Sequence, residues 1–192
     1  MIAQNPYIAI MLILNFDPFP VLETERLILR RPVMADVDEI YKYRSDKELM
    51  KYILHRFTTD KNEVIETVER VNTLINNNEG INWAITLKGN DTIVGMIGYV
   101  HFFPDRYRAE IGYMLHTPHH GKGIVHEAMK ATIEYGFEIM NLHSIEAIVN
   151  YKNEASKKVL ERLNFTKDAF FKDYLYLGSE FVDANVYSLI RQ

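Results

Sequence analysis

Residues 110–127 read EIGYMLHTPHHGKGIVHE, and this stretch decides the fold. Its first part has the residue pattern of a strand that ends near Leu115. A loop with two glycines follows, and a long amphipathic helix then begins. The residues of one helix face recur at helical spacing, which predicts a helix packed on a sheet. They are Val125, Ala128, Met129, Thr132, Ile133, Gly136, Phe137 and Met140.

The loop between this strand and this helix has the composition of an anion-binding turn. A helix start leaves about four backbone N–H groups without intrahelical partners and carries roughly half a positive charge. Gly121 and Gly123 lack Cβ atoms, which lets the backbone approach a phosphate closely. Gly123 follows Lys122 where a P-loop needs Ser or Thr, and His126 replaces the third glycine of a dinucleotide fingerprint, so neither motif fits. A plain strand-to-helix turn without a ligand is the alternative.

The rest of the chain alternates between strand and helix patterns. The predicted strands cover 26–31, 83–87, 92–103, 109–115, 143–149, 169–177 and 181–190. Three further helices are predicted, from Asp36 to Arg44, from Thr59 or Asp60 to the 76–80 cluster, and from the cap Asn153 to Leu163 and Asn164. Gly178 and Ser179 have the composition of a turn. This order predicts a mixed α/β domain.

The composition is that of an ordinary globular domain. The chain has 192 residues, 47% of them apolar, and a formal net charge of -4. The acidic balance argues against nucleic-acid binding, which depends on a surplus of Lys and Arg. The absence of cysteine excludes disulfides, thiolate metal sites and cysteine nucleophiles. No apolar run approaches the ~18 residues of a membrane-spanning helix.

We therefore expect a cytoplasmic protein that binds neither nucleic acid nor a membrane. Residues 1–20 are expected to form an extension, poorly ordered before Met11, and residues 21–192 a single domain. His119 and His120 are adjacent and lack a third ligand at a suitable spacing, so no metal site is expected. Both a monomer and a homodimer are compatible with the sequence.

Several separated motifs, in this order, resemble the GNAT acyltransferases, and more narrowly the RimJ/RimL-type N-terminal acetyltransferases. The resemblance extends from about Val21 to Ile190. It includes LETERLILR at 22–30, AEIGYML at 109–115, the glycine loop, NEAS at 153–156 and LNF at 163–165. It implies the GNAT fold, which is a central mixed, mostly antiparallel sheet with a splayed central strand pair and about four helices.

The resemblance also implies an acetyl-CoA site, with no metal. In this family the pyrophosphate lies on the amides of the loop, and the pantetheine arm pairs with the edge of the central strand. The corresponding loop residues are His120, Gly121, Lys122, Gly123, Ile124, Val125 and His126. Tyr113 and Leu115 correspond to the strand edge, and Asn153 and Ser156 to the positions that contact the pantetheine arm and the thioester.

Two catalytic roles follow from the resemblance. Many members place a tyrosine in the last helix to protonate the departing thiolate. Leu160 occupies that position here, which leaves Ser156 as the best donor. Glu110 is the candidate base, because the family often uses an acidic group near this strand. The alternatives are a water molecule or a histidine as the base, and a Glu110 that only forms salt bridges beside Arg106 and Arg108.

The expected reaction moves acetyl from acetyl-CoA to a primary amine by direct attack, through a tetrahedral intermediate. The RimJ/RimL resemblance makes the N-terminal α-amine of a protein, such as a ribosomal protein, the first expectation. Deprotonating an α-amine of pKa about 7.7–8 at pH 7 costs about 1 kcal/mol, whereas a lysine at about 10.4 costs about 4.6 kcal/mol. The alternatives are a small amine, such as a polyamine or an amino-sugar antibiotic, and a non-catalytic CoA-binding regulatory domain.

Overall fold

The computed structural model describes residues 12–177 and 180–192. The extension predicted before Met11 and the turn predicted at Gly178 and Ser179 lie outside the described residues. The strands are β1 (Leu22–Glu23), β2 (Leu27–Arg30), β3 (Ile81–Leu87), β4 (Asn90–Phe103), β5 (Arg108–Leu115), β6 (Ser144–Asn150), β7 (Thr166–Leu177) and β8 (Glu180–Ile190). The α-helices are α1 (Val37–Arg44), α2 (Lys47–Met50), α3 (Lys61–Asn76), α4 (Ile124–Glu134) and α5 (Glu154–Arg162). The division into an extension at 1–20 and one domain at 21–192 stays a prediction.

All eight strands belong to one sheet, in the order β1-β2-β3-β4-β5-β6-β8-β7. Neighbouring strands are antiparallel, except that β5 and β6 run parallel. This parallel pairing covers only Arg108–Glu110 against Ser144–Glu146. Beyond those residues β5 and β6 no longer pair, so the sheet opens between them. The predicted mixed, mostly antiparallel sheet with a splayed central pair is confirmed.

Helices cover both faces of the sheet, as the alternating side chains of β3 show. Trp83 and Ile85 pack in one buried cluster with Ala128 and Met129 of α4. Ala84, between them, lies in a second buried cluster with residues of α1 and α3. Since both faces are covered, β3 is an almost continuous apolar run instead of an alternating one.

Polar residues cap α3 and α5 as the sequence predicts, whereas Asp36, the residue expected to cap the first helix, makes no capping hydrogen bond to α1. Asp60 accepts a hydrogen bond from the N–H of Asn62 at the start of α3, and Asn153 accepts one from the N–H of Ser156 in α5. Asn164 follows α5 with φ of 64°, the left-handed conformation that suits asparagine. These ends place the first turn of α5 beside the opening of the sheet.

The helix after Gly123 differs from the prediction in its last turn. Regular α-helix ends at Glu134, and residues Tyr135–Ile139 continue as a π-turn. Gly136 lies in this turn, and a Cβ there would overlap the hydroxyl of Tyr99. That hydroxyl donates a 2.7 Å hydrogen bond to the carbonyl of Thr132. The glycine is therefore needed for the close crossing of β4 and the helix.

Residues 12–20 pack against the core. Phe16 is 2% exposed, and its N–H donates a 2.8 Å hydrogen bond to Oδ1 of Asn78. Trp83 donates from Nε1 to the carbonyl of Pro20 at 2.7 Å. The part of the predicted extension that follows Met11 thus covers one edge of the core.

A buried ion pair joins β2 to the start of α1. The guanidinium of Arg30 donates to both carboxylate oxygens of Asp36 at 2.7 and 2.8 Å, and Asp36 is 5% exposed. The N–H of Val33 adds a 2.9 Å hydrogen bond to the same carboxylate. Arg30 also donates to the exposed Asp91 at 2.6 Å. The hydrogen bond to Asp36 is the main reason that the pKa of Arg30 lies above its ordinary value.

We expect Asp36→Ala to lower the free energy of unfolding by about 2 kcal/mol, because it strips a partly buried guanidinium of its main partner while Asp91 remains. Denaturant unfolding followed by circular dichroism measures this change. The control is Glu39→Ala, which removes the more exposed pair of Glu39 with Lys42 and is expected to cost less than about 1 kcal/mol. Equal losses in the two variants would contradict the structural role assigned to Asp36.

Candidate active site

The loop before α4 presents a run of free backbone N–H groups. Gly121 and Gly123 have φ of +73° and +75°, in the left-handed region that favours glycine. Within the described residues, the backbone N–H groups from Gly121 to His126 have no hydrogen-bond partner. A Cβ at Gly121 would meet nothing within 4 Å, so the space above the loop is open. Free N–H groups at a helix start fit a compact anion such as a pyrophosphate.

Glu127, in the first turn of α4, is held away from this open space. Its carboxylate accepts hydrogen bonds from the hydroxyl of Thr24 at 2.5 Å, from the N–H of Arg26 at 2.8 Å and from Nε of Arg26 at 2.6 Å. Burial alone raises the pKa of Glu127, but these bonds outweigh it and lower the pKa. Arg26 also donates to the carbonyl of Lys122 at 3.0 Å. Arg26 thus neutralises Glu127, the one acidic side chain in the first turn of α4, and it also stabilises the loop through its hydrogen bond to Lys122.

His120 and Leu115, both predicted to contact acetyl-CoA, are bonded to each other. Nε2 of His120 lies 2.8 Å from the carbonyl oxygen of Leu115. The backbone N–H of His120 donates to the carbonyl of Thr117 at 3.0 Å. The run of free amides therefore begins at Gly121, one residue later than the sequence predicts.

The opening of the sheet exposes a strand edge next to α5. On its β6 side, β5 is unpaired from Ile111 to Leu115, which leaves backbone groups for an extended ligand to pair with. Asn153 lies across this opening and its Oδ1 accepts a 3.1 Å hydrogen bond from the N–H of Ser156. Asn153 also donates from Nδ2 to the carbonyl of Tyr52 at 3.4 Å. The side chain of Asn153 therefore supports both α5 and the segment after α2.

Ser156 is paired with the side chain of Tyr113. The two hydroxyl oxygens lie 2.6 Å apart, and Ser156 is 8% exposed. Burial raises the pKa of Tyr113 to about 12, against the opposing effect of the hydrogen bond to Ser156. From the sequence, Tyr113 was predicted at the site only as part of the strand edge, and its pairing with Ser156 was not predicted. One signal in the sequence could have indicated this pairing. Leu160 has no hydroxyl at the position where many family members have a tyrosine, so a hydroxyl from a neighbouring element is needed in its place.

Glu110 is paired with a histidine and not with the neighbouring arginines. Nδ1 of His101 lies 2.9 Å from Oε2 of Glu110. Arg108 instead donates to Glu146, on β6, at 3.0 Å. Among the described residues Glu110 therefore contacts His101 and forms no salt bridge with Arg106 or Arg108, and its role as the base stays a prediction.

One cavity of about 390 Å³ connects these groups. It is lined by Glu110, Tyr113, Asn153 and Ser156, and on its far side by residues of α1, α3 and the segment 52–55. The loop from His120 to His126 does not line it, so this loop lies outside the cavity. The free N–H groups of the loop and the cavity are therefore two separate places.

Two other kinds of feature, a metal site and a membrane-spanning helix, are absent from the described part of the chain. Residues 12–177 and 180–192 contain no cluster of three or more His, Asp or Glu side chains arranged to hold a metal ion. No helix in those ranges has the length and apolar character needed to cross a membrane.

The fold agrees with comparison to known proteins. Residues 26–166 match the family described as the acetyltransferase (GNAT) domain. The chain therefore belongs to the GNAT acetyltransferase family, and it is an acyl-CoA-dependent N-acetyltransferase.

Individual relatives support this assignment. The uncharacterized N-acetyltransferase p20 of Bacillus licheniformis is 34% identical over 171 residues, which cover 89% of this chain and 96% of p20. The ribosomal-protein-serine acetyltransferase of Escherichia coli is 29% identical over 100 residues, or 52% of this chain and 56% of that protein. A solved structure of RimL, the ribosomal L7/L12 α-N-protein acetyltransferase, in complex with coenzyme A superimposes with a TM-score of 0.80 at 20% identity, over 89% of this chain and 98% of RimL.

Proposed function

We propose that the protein transfers acetyl from acetyl-CoA to an α-amine, most simply the free N-terminus of a protein or peptide. The observation that carries this proposal is the single cavity that holds Glu110 together with the Tyr113 and Ser156 hydroxyls at the opening of the sheet. The relationship to a ribosomal-protein-serine acetyltransferase supports a protein N-terminus as the acceptor.

The loop at 121–126 holds the pyrophosphate of acetyl-CoA through its free backbone N–H groups, and the unpaired edge of β5 at Ile111–Leu115 holds the pantetheine arm. Acetyl-CoA supplies the thioester, and the residues of the chain position it. This geometry directs the acetyl end toward the first turn of α5, where Ser156 lies.

Glu110 prepares the amine for attack. An amine must lose its proton before its lone pair can form the new N–C bond, and this costs about 1 kcal/mol for an α-amine at pH 7. A carboxylate that lines the cavity can accept that proton directly or through one water molecule. His101, 2.9 Å from Oε2, holds the carboxylate in place.

The Tyr113 and Ser156 hydroxyls assist the departing sulfur when the C–S bond breaks. A thiol has an ordinary pKa of about 8.5, far below the value of about 12 for Tyr113, so Tyr113 keeps its proton. Either hydroxyl of the pair can donate to the other. With Tyr113 as the donor to Oγ, the Ser156 O–H is free to donate to the sulfur, and this is the arrangement that the proposal requires. The pair therefore stabilises the thiolate by hydrogen bonding. The nitrogen loses one proton before attack and a second after the N–C bond forms; one of the two ends on the thiol and the other is released to solvent.

We expect Ser156→Ala to lower kcat by about 10–100-fold, because it removes the donor to the sulfur. Tyr113→Phe is expected to lower kcat by about 3–10-fold, because it removes only the support for that donor. The Kd for acetyl-CoA should change little in either variant. Steady-state thiol release and calorimetric titration measure these quantities.

Tyr187→Phe is the control for the tyrosine change, since Tyr187 is a buried neighbour that does not line the cavity. Wild-type turnover in Ser156→Ala would show that water or another group assists the thiolate.

The acceptor class is tested by thiol release from acetyl-CoA with matched amines. The set contains peptides with a free α-amine, the same peptides blocked at the N-terminus but containing lysine, a polyamine and an amino-sugar antibiotic. Turnover confined to free α-amines is expected. Turnover with the polyamine or the antibiotic would replace the proposal with a small-amine acetyltransferase. Acetyl-CoA binding without turnover of any amine would favour a regulatory CoA-binding protein.

A further inference from the structure

The cavity that holds Glu110 carries two guanidinium groups on the wall formed by α1 and α3. Arg44 ends α1, Arg70 lies on α3, and both line the cavity. Arg44 is 6% exposed, and no acidic side chain of the described residues forms a salt bridge with either arginine. The stretches 1–11 and 178–179 contain no Asp or Glu. Arg44 is thus a buried cation without a salt-bridge partner, although the more distant charge of Glu63 acts on it.

The hydrogen bonds of Arg44 go only to neutral groups. Nη1 donates to the hydroxyl of Thr67 at 3.2 Å, and Nη2 lies 2.9 Å from Nδ1 of His55 and donates to the carbonyl of Arg56 at 3.3 Å. Desolvation and the nearby Arg44 charge lower the pKa of His55, which favours its neutral, accepting form. Neutral acceptors hold the guanidinium in position but bring no negative charge into contact with it, which is costly in a buried place. The charge of Glu63 acts on Arg44 only from outside hydrogen-bonding distance.

Two hydrogen-bond donors beside this charge are unused. Nε of Arg44 and the hydroxyl of the adjacent Tyr43 are buried and have no partner within the described residues. Both residues line the cavity. Nε of arginine only donates, and a tyrosine hydroxyl can donate. Buried polar groups are normally satisfied, so an unused donor next to an unpaired cation fits a ligand that only accepts, such as a carboxylate.

The charges of the cavity are therefore arranged in two parts. Glu110 is the one acidic side chain of the described residues that lines it, and it is bonded to His101. Arg44 and Arg70 lie on the helical wall. Burial is the main effect that lowers the pKa of Arg44; the charges of Tyr43 and Glu63 oppose it, and the smaller effect of Arg70 adds to it. A carboxylate bound in the cavity would offset both the burial and the Arg70 charge. A polyamine or an amino-sugar antibiotic would instead add positive charge beside two arginines.

We propose that the acceptor is an amine that also carries a carboxylate, with its amine at Glu110 and its carboxylate at Arg44 and Arg70. This inference rests on the proposed acetyl transfer and specifies the class of acceptor. The carboxylate belongs either to a free amino acid or short peptide, or to an acidic side chain close to a protein N-terminus. Arginine suits this role because its fork of donors matches a carboxylate.

The test compares acceptors that differ only in this charge. One pair is a peptide that begins Ser-Glu and the same peptide that begins Ser-Gln, and the other is a free amino acid and its amide. The initial rate of thiol release gives kcat/KM for each. We expect the acid of at least one pair to exceed its amide by about 10–100-fold, the usual strength of hydrogen bonds to a charged group. The pair that shows the preference identifies the source of the carboxylate.

Variants connect the preference to the two arginines. Arg70→Glu should remove the preference for the acid, and Arg44→Lys should reduce it, because lysine keeps the charge but loses the fork. Lys88→Glu makes the same charge change at the exposed turn between β3 and β4 and should leave the preference intact. Arg70 is an exposed position of α3, so its variant does not depend on a buried substitution.

The outcomes of this test distinguish a failure of the carboxylate inference from a failure of the proposed acetyl transfer. Turnover at equal rates for acid and amide would overturn the inference and leave acetyl transfer standing. No turnover with any amine would contradict the proposed function. In that event, calorimetric titration of the same acids and amides into the CoA-saturated protein decides the inference. Binding of an acid that Arg70→Glu abolishes would support it, and the absence of such binding would overturn it.

Discussion

Gly123→Asp is expected to abolish acetyl-CoA binding while the protein stays folded. The substitution places a carboxylate at the start of α4, where free N–H groups and the helix dipole favour a phosphate. A non-glycine residue at φ of +75° is also strained, at a cost of roughly 1–2 kcal/mol, which a domain of this size tolerates. We expect the Kd for acetyl-CoA, measured by calorimetric titration, to rise at least about 100-fold, which corresponds to about 2.7 kcal/mol.

Gly89 provides the matched control for this substitution. It has φ of +84° in the turn between β3 and β4, and a Cβ there would meet nothing within 4 Å. Gly89→Asp therefore introduces the same charge and the same backbone strain at another place, and it should bind acetyl-CoA as the wild type does. A folded Gly123→Asp variant with wild-type affinity would show that the pyrophosphate lies elsewhere.

Glu110→Gln is expected to lower kcat by about 100-fold without changing the Kd for acetyl-CoA. Glutamine has the same shape as glutamate, so the variant removes the proton acceptor and little else. General base catalysis contributes typically about 10²–10⁴-fold, and the low end applies because an α-amine is a weak enough base to lose its proton readily. Steady-state thiol release with a free α-amine peptide, at saturating acetyl-CoA, gives kcat.

Glu146→Gln is the matched control, because Glu146 is the direct partner of Glu110 across the β5–β6 pairing. It is bonded to Arg108 at 3.0 Å and does not line the cavity. Its substitution should leave kcat within about 2-fold of the wild type, the scale of a change away from the reacting groups. If Glu110→Gln and Glu146→Gln behave alike, the proton leaves the amine by another route, such as water.

The sequence predicted those parts of the fold that depend on local signals. Each of these signals depends only on residues close by in the chain, and each lies where predicted. They are the capping residue Asn153, the left-handed Asn164 and the apolar stripe of α4. The four-residue helix α2 was not predicted because it spans only about one helical turn, which is too short for apolar positions to recur at helical spacing. Its only local signal is Asp46, whose side chain accepts from the N–H groups of Glu48 and Leu49.

The site was predictable only where the resemblance to a family covers it. The contact of Glu127 with Arg26 spans 101 residues, and that of Tyr113 with Ser156 spans 43. No local pattern encodes such pairs, because they arise when distant segments pack together. The arginines of the cavity went unnoticed for the same reason. Arg44 reads as an ordinary basic residue at a helix end, and only its burial reveals an unpaired charge.

The most direct test of acetyl transfer to an α-amine is to locate the acetyl group on a product. A peptide with a free N-terminal serine, an acidic second residue and one internal lysine is incubated with the protein and acetyl-CoA, and fragment mass spectrometry assigns the modified nitrogen. We predict acetyl on the α-nitrogen of the first residue and none on the lysine. Acetyl on the lysine would contradict the proposed function. An unmodified peptide, from a protein that binds acetyl-CoA, would contradict a peptide or protein N-terminus as the acceptor.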